Sequence, residues 1–187
     1  VLDFDETQGI VEVEAGIQWP ALIDYLVSTQ QGQAHQWGIA QKQTGADNIT
    51  LGGTLAANGH GRGLGLPPFI ADVESFRLVD AHGQILSCSR QQNSELFRLV
   101  IGGYGLFGPV YSLKLRLVPR QKVQRVAQVI TLDRLMPAFA QRIAHGFLYG
   151  DFQFSTDERS ETFLQEGILA CYRPVAWTTP IPDRQPE

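Results

Sequence analysis

The glycines of this chain are concentrated in two short segments, each beside residues with strand periodicity. We call residues 50–63 the first glycine cluster and residues 102–110 the second. Glycine has no Cβ, so it adopts positive φ and lets another group approach the backbone amides closely. Two such clusters with small residues between the glycines predict loops that lie against a bound group. Glycines that serve only as turn residues are the alternative.

Length and composition limit the class of protein. A chain of 187 residues with 43% hydrophobic residues can bury a core of one ordinary domain or one and a half. The 15 Lys and Arg stand against 19 Asp and Glu, a formal charge of −4. Because there is no excess of basic charge to neutralise phosphates, we expect no nucleic-acid partner.

Cysteine usage and the N-terminus give further expectations. Cys88 and Cys171 have no CxxC or Cys/His spacing, so we expect neither a metal site nor a disulfide framework, and a reducing, cytoplasmic location. No apolar run approaches the roughly 18 to 20 residues that span a bilayer. The first residues, Val1 to Glu6, are acidic where a signal peptide is basic and then apolar. They resemble the middle of a strand, which predicts a piece of a longer chain.

Periodicity predicts alternating strands and short helices up to about residue 118. Apolar and charged residues alternate in the strands, and apolar residues recur at helical spacing in the helices. The predicted elements are strand Ile10–Ala15, helix Ala21–Thr29, a hairpin of Val73–Val79 with Gln84–Cys88, helix Ser94–Val100 and strand Val110–Val118. Between the first helix and the hairpin, residues 30–70 show neither period, so we expect a long irregular functional loop.

The character of the sequence changes after Pro119, where a basic stretch leads to a new strand, and we place a domain boundary near residue 120. The expected elements are strand Val126–Ile130, helix Leu132–His145, strand Leu148–Ser155 and strand Thr162–Tyr172. The proline-containing residues 178–187 are expected to form an extended connector.

Neither glycine cluster matches a standard nucleotide fingerprint. A P-loop needs Lys-Ser/Thr after its last glycine, and a Rossmann turn needs a strand, GxGxxG and a helix in immediate succession. The sequence after Gly63 is Leu-Gly-Leu-Pro-Pro, which cannot open a helix. A cofactor would therefore be held in another way.

Four motifs in order resemble the flavin-dependent oxidoreductases of the vanillyl-alcohol oxidase type, whose FAD-binding domain is called PCMH-type. The branch with aldonolactone and alditol oxidases and cytokinin dehydrogenases is the most similar. The motifs are VEVEAGIQW at 11–19, TLGG with NGHG at 50–61, the hairpin from Asp72 to Gln84, and GGYGLFGPV at 102–110.

The resemblance implies FAD as cofactor and a nucleotide-binding role for both clusters. Backbone amides at Thr50, Gly52, Gly53 and Thr54 would lie along the flavin and its pyrophosphate. Asn58, His60 and Gly61 would extend this contact. Gly108 and Val110 would meet the pyrimidine edge or the adenosine by main-chain hydrogen bonds. His60 is expected to bind, not to attach the flavin covalently; a loop histidine bonded to nearby backbone is the alternative.

The resemblance also implies a fold and a reaction. The expected fold is α+β: residues 1–119 form the second subdomain of a PCMH-type FAD-binding domain, mainly antiparallel sheet with flanking helices, and residues 120–187 begin an α+β substrate cap domain. The reaction is oxidation of a C–H bond of a small alcohol-, sugar- or amine-type substrate. A domain that binds no flavin by itself and a MurB-like, NADPH-dependent reductase are the alternatives.

Five residues of the cap-like part are candidates for a role in catalysis. They are Tyr149, Asp151, Gln153, Tyr172 and Arg173. Asp151 and Gln153 are expected to share one face of a strand because side chains alternate. The solvent face of a cap sheet explains that pattern better, so none of them is assigned as a catalytic base.

Overall fold

The computed structural model describes residues 1–42 and 45–181. The chain divides into two compact units, Val1–Arg120 and Gln121–Glu187. This division lies beside the boundary that the sequence places near residue 120. Each unit is described by itself below.

The first unit is built on a five-stranded antiparallel sheet with the strand order β1-β2-β6-β4-β5. A two-stranded sheet pairs β3 with β7. The strands of this unit are β1 Asp3–Asp5, β2 Ile10–Glu14, β3 Trp37–Gly38, β4 Val73–Val79, β5 Ile85–Ser89, β6 Val110–Arg116 and β7 Val118–Pro119. The predicted strands and the hairpin are confirmed, and the first residues pair as a strand.

Strand alternation sets one apolar and one polar face on this sheet. The apolar face includes Val11, Val13, Leu113 and Leu115, all buried. Helices cover this face, and the ring of Phe76 stacks on the ring of Phe97 at a centroid distance of 5.5 Å. Burial of these side chains supplies the main stabilisation of the unit.

The polar face of the sheet carries a charged group centred on Glu12. Its carboxylate accepts a hydrogen bond from Arg77, and Lys114 lies 3.5 Å away. Burial alone would raise the pKa of Glu12, but Arg77, Lys114 and the hydroxyl of Ser112 outweigh it and hold this pKa below its ordinary value.

Three helices belong to the first unit: α1 Trp19–Thr29, α2 Leu51–Ala56 and α3 Ser94–Val100. Pro20 lies in the first turn of α1, where its missing N–H costs nothing. Helix α3 has its predicted bounds, and α1 begins two residues earlier than predicted.

Helix α2 corrects the expectation that residues 30–70 have no regular structure. Two adjacent glycines lower helix propensity. The helix forms because Thr50 caps it, its Oγ1 accepting a hydrogen bond from the amide of Gly53 at 3.0 Å. Gly52 also packs so closely that a Cβ there would lie 3.0 Å from the Cβ of Ala15. Tertiary packing therefore overrides local propensity.

The second unit is a three-stranded antiparallel sheet with the order β8-β10-β9 and one helix. Its elements are β8 Lys122–Thr131, α4 Leu132–Ala144, β9 Tyr149–Phe154 and β10 Glu166–Val175. Strand β10 begins four residues later than predicted because Leu164 has φ of +54°, which a strand does not allow. Of the predicted connector, residues 182–187 lie outside the described residues.

No helix among the described residues has the length and apolar character needed to cross a membrane.

Candidate cofactor site

The two glycine clusters, remote in sequence, meet at the C-terminal end of α2. The amide of Gly102 donates to the carbonyl of Leu55 at 3.0 Å, and the amide of Tyr104 donates to the carbonyl of Ala56 at 3.0 Å. A Cβ on Gly102 would lie 3.3 Å from the Cβ of Asn58. The last carbonyls of a helix need partners, and the second cluster supplies them. The clusters therefore form one continuous surface.

The amides in the first turn of α2 already donate hydrogen bonds within the chain. The amide of Gly52 donates to the carbonyl of Ala15 at 2.8 Å, and that of Thr54 donates to the carbonyl of Thr50 at 2.9 Å. The amide of Gly53 donates to the cap hydroxyl of Thr50. The amides of residues 52–54 thus have acceptors within the chain, and their expected contact with a cofactor stays a prediction. The four positions Thr50, Gly52, Gly53 and Thr54 remain predicted site residues.

The side chain of Thr54 lies in the core, with the residue only 1% exposed. Its Oγ1 accepts a hydrogen bond from the indole nitrogen of Trp19 at 3.1 Å and donates to the carbonyl of Thr50 at 3.1 Å. The side chain of Thr54 therefore fixes α2 against α1, and the cofactor-binding role of this residue stays a prediction.

Asn58 turns the chain immediately after α2. Its φ of +44° lies in the left-handed region, which asparagine tolerates better than most residues. Its Oδ1 accepts a hydrogen bond from the amide of Ile70 at 3.1 Å. Asn58 thus holds both ends of the loop that contains His60.

The His60–Gly61 pair lies on this loop. His60 is exposed, and its Nδ1 lies 3.1 Å from the carbonyl oxygen of Gly61. This contact has the form of the alternative considered above, a loop histidine bonded to nearby backbone; it does not test binding. A Cβ on Gly61 would lie 2.7 Å from the carbonyl oxygen of Lys42, so the loop needs glycine there.

Gln41 is a residue that sequence reasoning missed. It is buried, its Oε1 accepts from the amide of Gly61 at 3.2 Å, and its Nε2 donates to the carbonyl of Pro67. It therefore fixes both limbs of the loop. No sequence pattern identifies Gln41, because it is one of several glutamines in this stretch and has no characteristic spacing to other residues.

Gly108 joins the second cluster to the sheet. Its φ is +122°, and a Cβ there would overlap the carbonyl oxygen of Val79. The amide of Val79 donates to the carbonyl of Pro109 at 3.0 Å, and Val110 pairs with Leu78. The contact between strands β4 and β6 therefore explains this glycine without a cofactor. The binding roles of Gly108 and Val110 stay predictions.

Asp72 precedes β4 and carries an unusual carboxyl group. Its Oδ2 is buried without a hydrogen-bond partner. Burial raises the pKa of Asp72 to about 6, although the guanidinium of Arg116 acts in the opposite direction.

Four of the five cap candidates share one face of the second sheet. Asp151 pairs with Ala170 and Gln153 with Ile168, and Gln153 Nε2 donates to Asp151 Oδ2 at 3.3 Å, which confirms their common face. Tyr149 lies opposite Tyr172 on that face. Arg173 belongs to the other face because side chains alternate, and it donates to Gln124. Among the described residues no group of His, Cys, Asp and Glu could hold a metal ion.

Comparison with known proteins adds independent findings. The family described as "FAD binding domain" matches residues 1–89. That segment includes β1 to β5, α2 and His60. Residues 1–89, just under half of the chain, are therefore similar to an FAD-binding domain. The resemblance drawn from four sequence motifs is confirmed, as are the mainly antiparallel α+β fold and FAD as the cofactor.

Several curated relatives are oxidoreductases. The chain is 35% identical to cytokinin dehydrogenase 9 of Oryza sativa over 100 residues, 52% of this chain and 19% of the relative. It is 28% identical to L-gulonolactone oxidase of Bos taurus over 137 residues, 73% of this chain and 29% of the relative. It is 29% identical to mitochondrial L-galactono-1,4-lactone dehydrogenase of Brassica oleracea over 136 residues, 72% of this chain and 21% of the relative. The chain thus spans less than a third of these relatives.

Proposed function

We propose that this chain supplies one side of an FAD site in an oxidoreductase that oxidises a C–H bond of a small alcohol-, sugar- or amine-type substrate. One observation carries the proposal. In a chain whose residues 1–89 match a family described as an FAD-binding domain, the two glycine clusters meet at the end of α2.

The described residues fit a flat, partly charged ligand. Ala56 and Ala57 end α2 with small side chains, and the Cβ positions of Gly65 and Gly105 face open space. Bare backbone of this kind lets a ring or a pyrophosphate approach closely. His60 is exposed on the adjoining loop, and as an imidazolium it can donate from Nε2 to a phosphate oxygen while Nδ1 donates to the carbonyl of Gly61.

In this proposal the protein residues bind and orient, while FAD when bound supplies the hydride acceptor. Asn58 and Gln41 keep the His60 loop in place through hydrogen bonds to the backbone. Thr54 and Trp19 hold α2 against the core from behind. The relatives' names include a cytokinin and two sugar-derived lactones, so the proposed substrate class is kept broad.

We assign each of the two units a role in the proposed oxidoreductase. We assign residues 1–119 to the second part of the FAD-binding domain and residues 120–187 to the beginning of a substrate cap. The five-stranded antiparallel sheet with helices on one face supports the first assignment. The sheet face that Tyr149, Asp151, Gln153 and Tyr172 share supports the second, since it brings polar groups together for contact with a small molecule.

The test is the visible absorption spectrum of the full-length gene product after reconstitution with FAD and gel filtration. A retained flavin band, bleached by the correct substrate under anaerobic conditions, is the expected result. A protein that leaves the column without flavin contradicts the proposal.

A second function is favoured by the bonded amides of residues 52–54 and by the small share of each relative that the chain covers. In this alternative, residues 1–187 alone form an α+β domain that does not hold flavin. Calorimetric titration of residues 1–187 with FAD tests this alternative, which predicts weak or no heat of binding; tight binding refutes it.

A further inference from the structure

The most exposed apolar side chains of the first unit lie at the tip of the second glycine cluster. Tyr104 is 80% exposed and Leu106 is 86% exposed. Between them Gly105 has no neighbouring atom within 4 Å of its Cβ position. An aromatic ring, a bare backbone and a leucine therefore face solvent together.

The tip is held in this orientation by the backbone. Tyr104 has φ of +50° and Gly105 has φ of +80°, two successive left-handed residues. A left-handed tyrosine is uncommon and costs free energy, so surrounding structure has to impose it. The bond from the amide of Tyr104 to the carbonyl of Ala56 does so. Tyr104 is thereby fixed next to the end of α2.

The small size of this surface indicates the kind of ligand that it can bind. A stable protein interface uses roughly 20 to 30 residues on each side, far more than the few at this tip. One tyrosine ring beside bare backbone has the size of a single planar heterocycle. Aromatic side chains stack on such rings, and the contact tolerates differences between heterocycles because it uses the π-face.

We propose that Tyr104, with Leu106 beside it, stacks on a planar ring system of FAD at the end of α2. This inference rests on the proposed function, because it needs FAD at this end of the first unit. It adds a cofactor-binding side chain to a surface that otherwise offers backbone and small residues.

The experiment uses the full-length gene product and three variants. Tyr104→Ala removes the ring, Tyr104→Phe keeps it, and Ile85→Ala shortens a 60% exposed side chain on β5 as a matched control. The dissociation constant for FAD is measured by flavin fluorescence. We expect Tyr104→Ala to weaken binding roughly tenfold, the size of one stacking contact, and both other variants to bind like the wild type.

Two further measurements identify the ring. If adenine stacks on Tyr104, Tyr104→Ala loses affinity for FAD and keeps its affinity for FMN. If the isoalloxazine stacks there, affinity for both falls and the visible circular dichroism of bound flavin changes. Either result supports the inference.

Two other outcomes overturn it. Tyr104→Ala that binds FAD as tightly as the wild type, with or without a lower melting temperature, gives Tyr104 no role toward the ring and leaves the proposed function standing. A wild type that binds no FAD removes the proposed function and this inference with it.

Discussion

Buried polar side chains control how firmly α2 is held, and Thr54 offers the sharpest test at the scale of single residues. Thr54→Val keeps the shape but leaves the Trp19 indole N–H without its acceptor in the core. An unsatisfied buried donor costs about 1–3 kcal/mol. We expect urea denaturation to show a loss of this size for Thr54→Val and a smaller one for Thr54→Ser, which keeps the hydroxyl. Equal stability of Thr54→Val and the wild type contradicts the role assigned to Thr54.

Asp72 predicts a dependence of stability on pH. Its pKa is about 6 in the folded chain against 3.8 for the free side chain. The folded state therefore binds the proton more tightly, and this group makes the free energy of unfolding fall as pH rises from about 4 to about 6.

Asp72→Asn removes that penalty. After discounting for partial exposure, we expect the variant to be about 1–2 kcal/mol more stable than the wild type at pH 7, with the difference shrinking toward pH 4. Urea denaturation at several pH values measures it, and Asp24→Asn, at an exposed position on α1, serves as the control. A difference that does not change with pH would show that burial of Asp72 carries no electrostatic cost.

At the scale of elements, the contact between β4 and the second glycine cluster predicts different costs for two glycines. Gly108→Ala places a Cβ on the carbonyl of Val79, whereas Gly83 has φ of +75° but open space around its Cβ position. We expect Gly83→Ala to cost about 1 kcal/mol from strain alone. Gly108→Ala should cost at least about 2 kcal/mol because the strands must also move apart. Thermal denaturation of both variants measures these two losses of stability. Equal losses would contradict the close contact between Gly108 and Val79.

The sequence predicts some elements of this fold well and others poorly, for physical reasons. The hairpin β4–β5 and α3 follow from alternation and helical spacing, which are local signals. Helix α2 was missed because Gly52 and Gly53 oppose a helix, and the packing on Ala15 that favours it is not local.

In the candidate site, too, residues with a local sequence signal are predictable and residues that act through distant contacts are not. Asn58 and His60 stand in a recognisable motif, whereas Gln41 and Tyr104 have no pattern of their own. Their importance arises from hydrogen bonds to residues remote in sequence, such as Gly61 and Ala56. Motifs therefore locate the glycine clusters, and the fold shows that the clusters meet.

At the scale of the whole molecule, the division at residue 120 predicts independent folding of the first unit. Residues 1–120 contain the complete five-stranded sheet and the β3–β7 pair. We expect this fragment to unfold cooperatively in urea and to give dispersed amide resonances. A fragment ending at residue 109 lacks β6, which lies between β2 and β4, and should not fold. Absence of a cooperative transition for residues 1–120 would contradict the division.

The proposed function requires that FAD binds where the two glycine clusters meet. Hydrogen–deuterium exchange of the full-length gene product, with and without FAD, tests it most directly. We expect FAD to slow exchange at residues 55–61 and 102–106 more than elsewhere in the first unit. Slower exchange confined to other segments, with these two unchanged while FAD is bound, would contradict it.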